Sequence, residues 1–218
     1  MYTDFLSRLK YHSQRTIIES KYGRANKVAV QRFGQFLCRK GLVVCDPSAL
    51  VSAQPFAHRV DSGMYTVWGL VLTIPRKGQR TALAWVTPST ENCVVHGIKT
   101  WEPALVEKAT PPGNTVSTDS GVVAFCNDEA PKKYATAKKH YEKLLSAMEM
   151  PVPGHPFRSP SGAVVGSLSG MGDGTYPCFW GHSERGISQL LIDFLMIDFE
   201  RLRFKYRAKD DRRLFVYD

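Results

Sequence analysis

Short apolar segments separated by turn residues run through the middle of the chain, a pattern typical of antiparallel strands. Strands are predicted at residues 36–38, 42–45, 65–74, 81–87, 94–101, 116–126, 163–167 and 176–180. The segment 64–74 has apolar residues at both odd and even positions, so it should lie centrally with both faces covered. Together these segments favour a mainly antiparallel β sandwich or barrel.

The first two predicted strands are separated by residues 39–41, which end in glycine, and this spacing indicates a β-hairpin. Such a hairpin would allow Cys38 and Cys45 to face each other. Asp46 and Pro47 should end the second strand, because aspartate readily accepts hydrogen bonds from nearby backbone N–H groups and proline cannot donate to a ladder.

Two other segments have helical periodicity. In residues 3–22, Phe5, Leu9 and Ile17 fall near one face and Thr3 can cap the start, so an N-terminal amphipathic helix is predicted. A second amphipathic helix is predicted after Asp128, its expected cap, with Pro131 in the first turn. The apolar stripe of this second helix consists of Tyr134, Ala137, Tyr141, Leu144, Leu145 and Met148.

Residues 187–199 fit either a helix or a short buried strand. The chain contains no linker long enough to divide it, so one domain is predicted over residues 1–218. This domain would comprise an N-terminal helical extension (1–32), a β-rich body (33–199) and a basic C-terminal segment (200–218). The predicted fold class is therefore α+β.

The net charge of +9 and the pI near 9.4 favour an acidic partner. Near the C-terminus, alternation along a strand would send Arg201, Arg203, Lys205 and Arg207 to one side. Leu202, Phe204 and Tyr206 would lie on the other side. The resulting basic ridge could bind phosphates or carboxylates, or it could be a solvated edge that prevents aggregation.

The cysteines are odd in number and form no CxxC pair, which favours buried thiols in a reducing compartment. They are Cys38, Cys45, Cys93, Cys126 and Cys178. Polar residues interrupt the N-terminal apolar positions, and no apolar stretch reaches the roughly 18 residues of a membrane span. We therefore expect a cytoplasmic protein without a membrane span, and we predict no metal site and no cofactor.

The segment from Ser169 to Trp180 is rich in glycine and could expose backbone N–H groups to a phosphate. A phosphate loop normally opens a helix, whereas Pro177 and the following aromatic residues indicate a strand, so a structural turn is favoured. Asp173 is expected to bond its own turn. Cys178 and His182 are a conceivable nucleophile and base, but no catalytic residue is assigned.

Several short stretches resemble an uncharacterised bacterial family, catalogued as domain of unknown function 4241. The residues that carry the resemblance include Asp46 in residues 41–47, Asp119 in residues 118–122, and Gly172, Asp173, Gly174, Tyr176 and Trp180 in residues 172–181. The resemblance implies a β-rich domain, and for that reason we interpret residues 187–199 as a strand. It implies no catalytic role for any of these positions.

We hypothesise a non-enzymatic intracellular binding protein, and more specifically an immunity protein that neutralises a bacterial toxin by direct binding. Its partner would be an acidic protein such as the cognate toxin, contacted through Arg201, Arg203, Lys205 and Arg207. Two alternatives stay open at this point. One is a hydrolase-like enzyme with a site near the Gly-Asp-Gly turn, and the other is a nucleic-acid-binding protein that uses the basic C-terminal segment.

Overall fold

The structure, a computed structural model, describes residues 2, 18–90, 98–107, 113–146, 156–159, 161–184, 186–199, 204–207 and 214–217. The strands are β1 (Glu19–Ser20), β2 (Gly23–Arg24), β3 (Lys27–Cys38), β4 (Leu42–Cys45), β5 (Gly63–Ile74), β6 (Gly78–Pro88), β7 (Thr100–Pro103), β8 (Thr115–Thr118), β9 (Val122–Asn127), β10 (Phe157–Arg158), β11 (Val164–Leu168), β12 (Gly174–Ser183), β13 (Gly186–Asp193), β14 (Phe204–Arg207) and β15 (Leu214–Tyr217). The helices are a 3-10 helix (Pro47–Ser52), α1 (Ala130–Thr136) and α2 (Lys138–Ser146).

Two antiparallel sheets form the body. The larger sheet has the order β3-β5-β6-β13-β12-β7, and β8 pairs with the first half of β12 while β7 pairs with its second half. The smaller sheet has the order β10-β11-β9-β4. The prediction of a mainly antiparallel β structure is confirmed, and β5 lies inside the larger sheet as expected for a strand that is apolar on both faces.

The smaller sheet is the middle of three layers, because its strands are apolar on both faces. Along β9, Val123 and Phe125 join the core shared with the larger sheet. Val122, Ala124 and Cys126 point the other way and pack with residues of α1, α2 and the 3-10 helix in a second core. Strict alternation along one strand thus places a sheet on one side and helices on the other.

The predicted hairpin at residues 39–41 is wrong. A turn is present, but β3 pairs with β5 while β4 pairs with β9, so the chain crosses from one sheet to the other. Cys38 lies in the core between the sheets and Cys45 lies in the core under the helices, so they do not face each other. The prediction failed because local turn spacing does not reveal which distant strand each apolar run meets.

The second predicted helix is present as two helices. The chain breaks between α1 and α2 at Ala137, whose φ of −119° and ψ of 63° are not helical. The N-cap residue is Glu129 rather than Asp128, and its side chain makes no capping hydrogen bond. Asn127 Oδ1 instead accepts hydrogen bonds from the backbone N–H groups of Glu129 and Ala130, at 3.1 and 2.9 Å, just before the helix.

The predicted N-terminal helix falls mostly on residues 3–17, which lie outside the described residues. Its predicted end is wrong, because residues 18–24 form β1, a turn and β2. Residues 27–32, assigned to a helical extension, belong to β3 and so to the larger sheet. The strand predicted for residues 187–199 is confirmed over Gly186–Asp193, whereas residues 194–199 form a loop with one isolated bridge at Ile197. The predicted strand 116–126 is two strands, β8 and β9.

None of the helices in the described part of the chain combines the length and the apolar character needed to cross a bilayer.

Candidate functional site

Two of the sequence motifs meet at the carboxylate of Asp46, which follows β4. Its Oδ1 atom accepts hydrogen bonds from Ser48 N at 2.8 Å and Ser48 Oγ at 2.7 Å, which caps the 3-10 helix. Its Oδ2 atom accepts from Thr118 Oγ1 at 2.7 Å, Asp119 N at 3.0 Å, and Ser120 N and Oγ at 2.9 and 2.8 Å. One side chain thereby ties the end of β4 to the turn between β8 and β9.

The environment of Asp46 favours its charged form. Burial alone would raise the pKa of this carboxyl, which is only 6% exposed, but hydrogen bonds from Ser48, Ser120 and Thr118 outweigh burial and hold the pKa well below its usual range. Six donors already occupy the two oxygen atoms, so Asp46 has little capacity left to accept a proton from a substrate or to bind a metal. Its chemistry is that of a structural anion.

The turn around Asp173 lies directly against the turn that Asp46 holds. Gly121 has a φ of 66°, and a Cβ at this position would be 3.2 Å from the Cα of Gly172. The backbone N–H of Ser169 donates to the carbonyl of Gly121 at 2.9 Å. The side chains of Asp119 and Asp173 are exposed beside this contact. The structure therefore brings Asp46, Asp119 and residues 172–174 together.

In the glycine-rich turn, two of the backbone N–H groups that a phosphate would need already donate to carbonyl groups of the chain. Gly170 N donates to Thr81 O at 3.1 Å and Gly172 N donates to Ser169 O at 2.9 Å. The carbonyl of Gly172 accepts from Ser169 Oγ at 2.6 Å and from Tyr176 Oη at 2.7 Å. The structural interpretation of this turn is thus supported. The expected hydrogen bond from Asp173 to its own turn does not form among the described residues.

Trp180 belongs to a second cluster, away from Asp46. Its buried ring packs against Phe56 and His58 in T-shaped contacts, with ring centroids 5.8 and 6.0 Å apart. Beside these rings, Glu102 Oε1 lies 3.2 Å from His58 Nε2 and 3.0 Å from His182 Nε2. One partly exposed carboxylate on β7 is therefore shared by two imidazoles, one of them on β12.

Cys178 and His182, the conceivable nucleophile and base, do not pair with each other, and His182 contacts Glu102 instead. Burial raises the pKa of Cys178 well above its usual range, and its Sγ atom faces the carbonyl of Tyr176. His182 instead lies beyond a bulge in β12 and meets Glu102. Sequence reasoning missed this cluster because residues 58, 102 and 182 are far apart in the chain. In the part of the chain described here, no group of three His, Cys, Asp or Glu side chains has the geometry to hold a metal ion.

The basic C-terminal residues are described only in part. Lys205 and Arg207 lie on β14, whereas Arg201 and Arg203 fall outside the described residues. In the described part of the chain, β14 pairs only with β15, forming a two-stranded ribbon. Its register pairs Lys205 with Val216 and Arg207 with Leu214, so both basic positions share one face.

No curated protein and no solved structure matches the chain. A family model matches residues 40–192, which is more than half of the sequence and includes both the Asp46 cluster and the Trp180 cluster. The chain therefore belongs to the family described as Protein of unknown function (DUF4241).

Proposed function

We propose that this chain is a non-enzymatic intracellular binding protein whose partner is an acidic protein, in the manner of an immunity protein that occupies a toxin. The observation that carries the proposal is the ribbon of β14 and β15, which pairs with no other strand in the described part of the chain and holds Lys205 and Arg207 on one face. A two-stranded ribbon with two basic positions at alternate residues of one strand suits contact with an acidic surface.

The chemistry of the described reactive groups supports binding over catalysis. The carboxylate of Asp46 is saturated with hydrogen bonds. The thiols of Cys38, Cys45, Cys126 and Cys178 are buried, and burial raises the pKa of each. A thiol with a raised pKa is a poor nucleophile near neutral pH. Inhibition by occupancy needs none of these groups to react, since it depends only on complementary surfaces.

The test is direct binding to a candidate toxin, such as the product of a neighbouring gene, by calorimetry and by growth rescue in a host that expresses the toxin. The informative variant reverses both basic positions of the ribbon, Lys205→Glu with Arg207→Glu. A matched control reverses two exposed lysines of the helices, Lys132→Glu with Lys139→Glu, and so changes the net charge equally. We expect the ribbon variant to lose binding and rescue while the control keeps both.

Equal loss in the two variants would mean that overall charge, rather than the ribbon, drives association. Full binding by the ribbon variant would contradict the proposal outright. In both variants, an unchanged melting temperature shows that the fold is intact.

Binding to nucleic acid is the second candidate, because the register also places Phe204 and Tyr206 on one face of the ribbon with Tyr217 and Phe215. Aromatic residues that stack on bases bind single strands, and Lys205 and Arg207, on the opposite face of the same ribbon, would add attraction for phosphates. Fluorescence anisotropy with a single-stranded oligonucleotide distinguishes binding to nucleic acid from binding to an acidic protein. Affinity that falls steeply between about 50 and 200 mM salt would favour nucleic acid, and the absence of binding would favour the acidic protein.

A further inference from the structure

A cavity of about 190 Å³ lies beside the two helices, where they meet the turn between β10 and β11. Its lining consists of Lys133 and Tyr134 from α1, His140 and Lys143 from α2, and Ser161 from the turn. All of these side chains can donate a hydrogen bond, and two of them carry a positive charge at neutral pH. The described lining contains no acidic residue.

The break between the helices brings these hydrogen-bond donors to one place. His140 and Lys143 are three residues apart and therefore share one face of α2. The non-helical backbone of Ala137 interrupts the helical axis, and Lys133 from α1 lines the same cavity. In a single continuous helix these residues would lie along one helix axis and could not surround a cavity.

The hydroxyl groups of the cavity are anchored to the smaller sheet. Tyr134 Oη lies 3.3 Å from Ser161 Oγ, which lies 3.2 Å from Ser159 Oγ. Ser159 is buried and accepts a hydrogen bond from Val164 N, the first residue of β11, at 3.0 Å. The chain of hydroxyls is thus held by the ladder of the sheet, and Tyr134 and Ser161 have fixed positions at the cavity wall.

The two lysines of the cavity have no acidic partner among the described residues. The ion pairs seen at these helices use other side chains: Lys138 pairs with Glu142 at 3.9 Å within α2, and Glu129, just before α1, pairs with Arg39 at 3.7 Å. Both lysine side chains are exposed to solvent at this cavity, and an anion bound there would be attracted by both charges. The arrangement therefore favours an anionic occupant.

We propose that this cavity binds the phosphate group of a small phosphorylated molecule. A phosphate monoester carries about −1.5 to −2 charges at pH 7 and three acceptor oxygens, which match two lysines and a set of hydroxyl and imidazole donors. The cavity is smaller than the roughly 300–1,000 Å³ of pockets for drug-sized ligands and cofactors, so it fits a phosphate group and not a whole nucleotide.

The test is calorimetric titration of the full-length chain with glycerol phosphate and, separately, with inorganic phosphate, at constant ionic strength. Lys133→Gln and Lys143→Gln each remove one charge from the cavity, and we expect each to raise the Kd for glycerol phosphate about tenfold, the value of one charge-assisted hydrogen bond. Lys132→Gln and Lys139→Gln are matched controls on the same helices, and we expect them to change the Kd less than about twofold.

Three results would overturn the proposal. The first is no saturable binding of glycerol phosphate up to about 10 mM. The second is an equal loss of affinity in the control variants, which would indicate a general effect of charge. The third is binding of inorganic phosphate alone, which would show that the cavity excludes an esterified phosphate. Tyr134→Phe supplies an independent check, since it removes one donor without changing the charge and should also weaken binding.

Discussion

Replacement of Asp46 by asparagine tests whether one buried carboxylate joins β4 to the turn between β8 and β9. The asparagine side chain keeps one oxygen atom and turns the other into an NH2 group. If the NH2 group points to Thr118 and Ser120, the backbone N–H groups of Asp119 and Ser120 face another donor and lose their acceptor. If the NH2 group points to Ser48, only the backbone N–H of Ser48 loses its acceptor. The second orientation is therefore favoured.

The expected cost follows from that orientation. Asp46→Asn loses one hydrogen bond to a charged acceptor, worth about 1.5–3 kcal/mol, and leaves the Ser48 N–H without an acceptor. The Ser48 hydroxyl can turn to accept from the new NH2 group, and the four bonds to the other oxygen atom survive, although their acceptor becomes neutral. We expect the free energy of unfolding to fall by about 3 kcal/mol at pH 7. For a chain of this length, that loss corresponds to a melting temperature lower by about 6–12 °C.

The stability lost in Asp46→Asn should depend on pH in a definite direction. The pKa of Asp46 is lower in the folded chain than in the unfolded chain, so the charged carboxylate stabilises the fold above the unfolded value of about 3.9. This stabilisation is lost progressively as the pH falls below that value toward the folded pKa. The difference between the native chain and Asp46→Asn should therefore be constant above about pH 5 and shrink in acid.

Urea unfolding followed by tryptophan fluorescence measures this difference, because Trp85 and Trp180 are fully buried and report loss of the core. Asp119→Asn is the matched control, since it neutralises an exposed carboxylate in the same turn and should change stability by less than about 0.5 kcal/mol. A loss below about 1 kcal/mol at pH 7 would refute the hydrogen-bond argument. A loss that stays the same in acid would refute the argument from charge.

Three further predictions concern the core. A Cβ at Gly69 would overlap the buried ring of Phe33, so Gly69→Ala should lower the free energy of unfolding by about 1–3 kcal/mol, whereas Gly63→Ala on the same strand meets nothing and should be nearly neutral in urea unfolding. Burial raises the pKa of Asp193, so the native chain should lose stability as the pH rises from the pKa of the unfolded chain through that of the folded chain. The Asp193→Asn variant should not show this loss, and urea unfolding at several pH values measures the difference. In a Cys93→Ser variant the remaining thiols are buried, and a thiol reagent should react with them only in denaturant.

The positions of most strands could be predicted because alternation and turn residues act locally. The strand at residues 63–74 is an example, since its apolar residues on both faces required a covered position inside a sheet. Pairing could not be predicted in the same way. The turn at residues 39–41 looks like a hairpin, yet β3 and β4 belong to different sheets, because the choice of partner depends on strands that come much later in the chain.

The candidate sites show the same division between local and distant information. Asp46 was expected to bond nearby backbone, and it does bond Ser48, but its four contacts with Thr118, Asp119 and Ser120 join segments about 70 residues apart. The shared carboxylate of Glu102 and the lysine-lined cavity have no motif at all. Each arises from the tertiary fold, which no short stretch of sequence encodes alone.

The positions that carry the family resemblance have largely structural roles in this chain. Asp46 accepts its full set of hydrogen bonds, Gly121 and Gly172 allow two turns to touch, and Trp180 fills the core. Family membership therefore predicts the fold better than it predicts the partner. Lys205 and Arg207 lie beyond the matched residues 40–192, so a partner that depends on them would be particular to chains with such a ribbon. If reversing those two charges abolishes binding while the fold stays intact, the choice of partner depends on residues outside the part of the chain that the family shares.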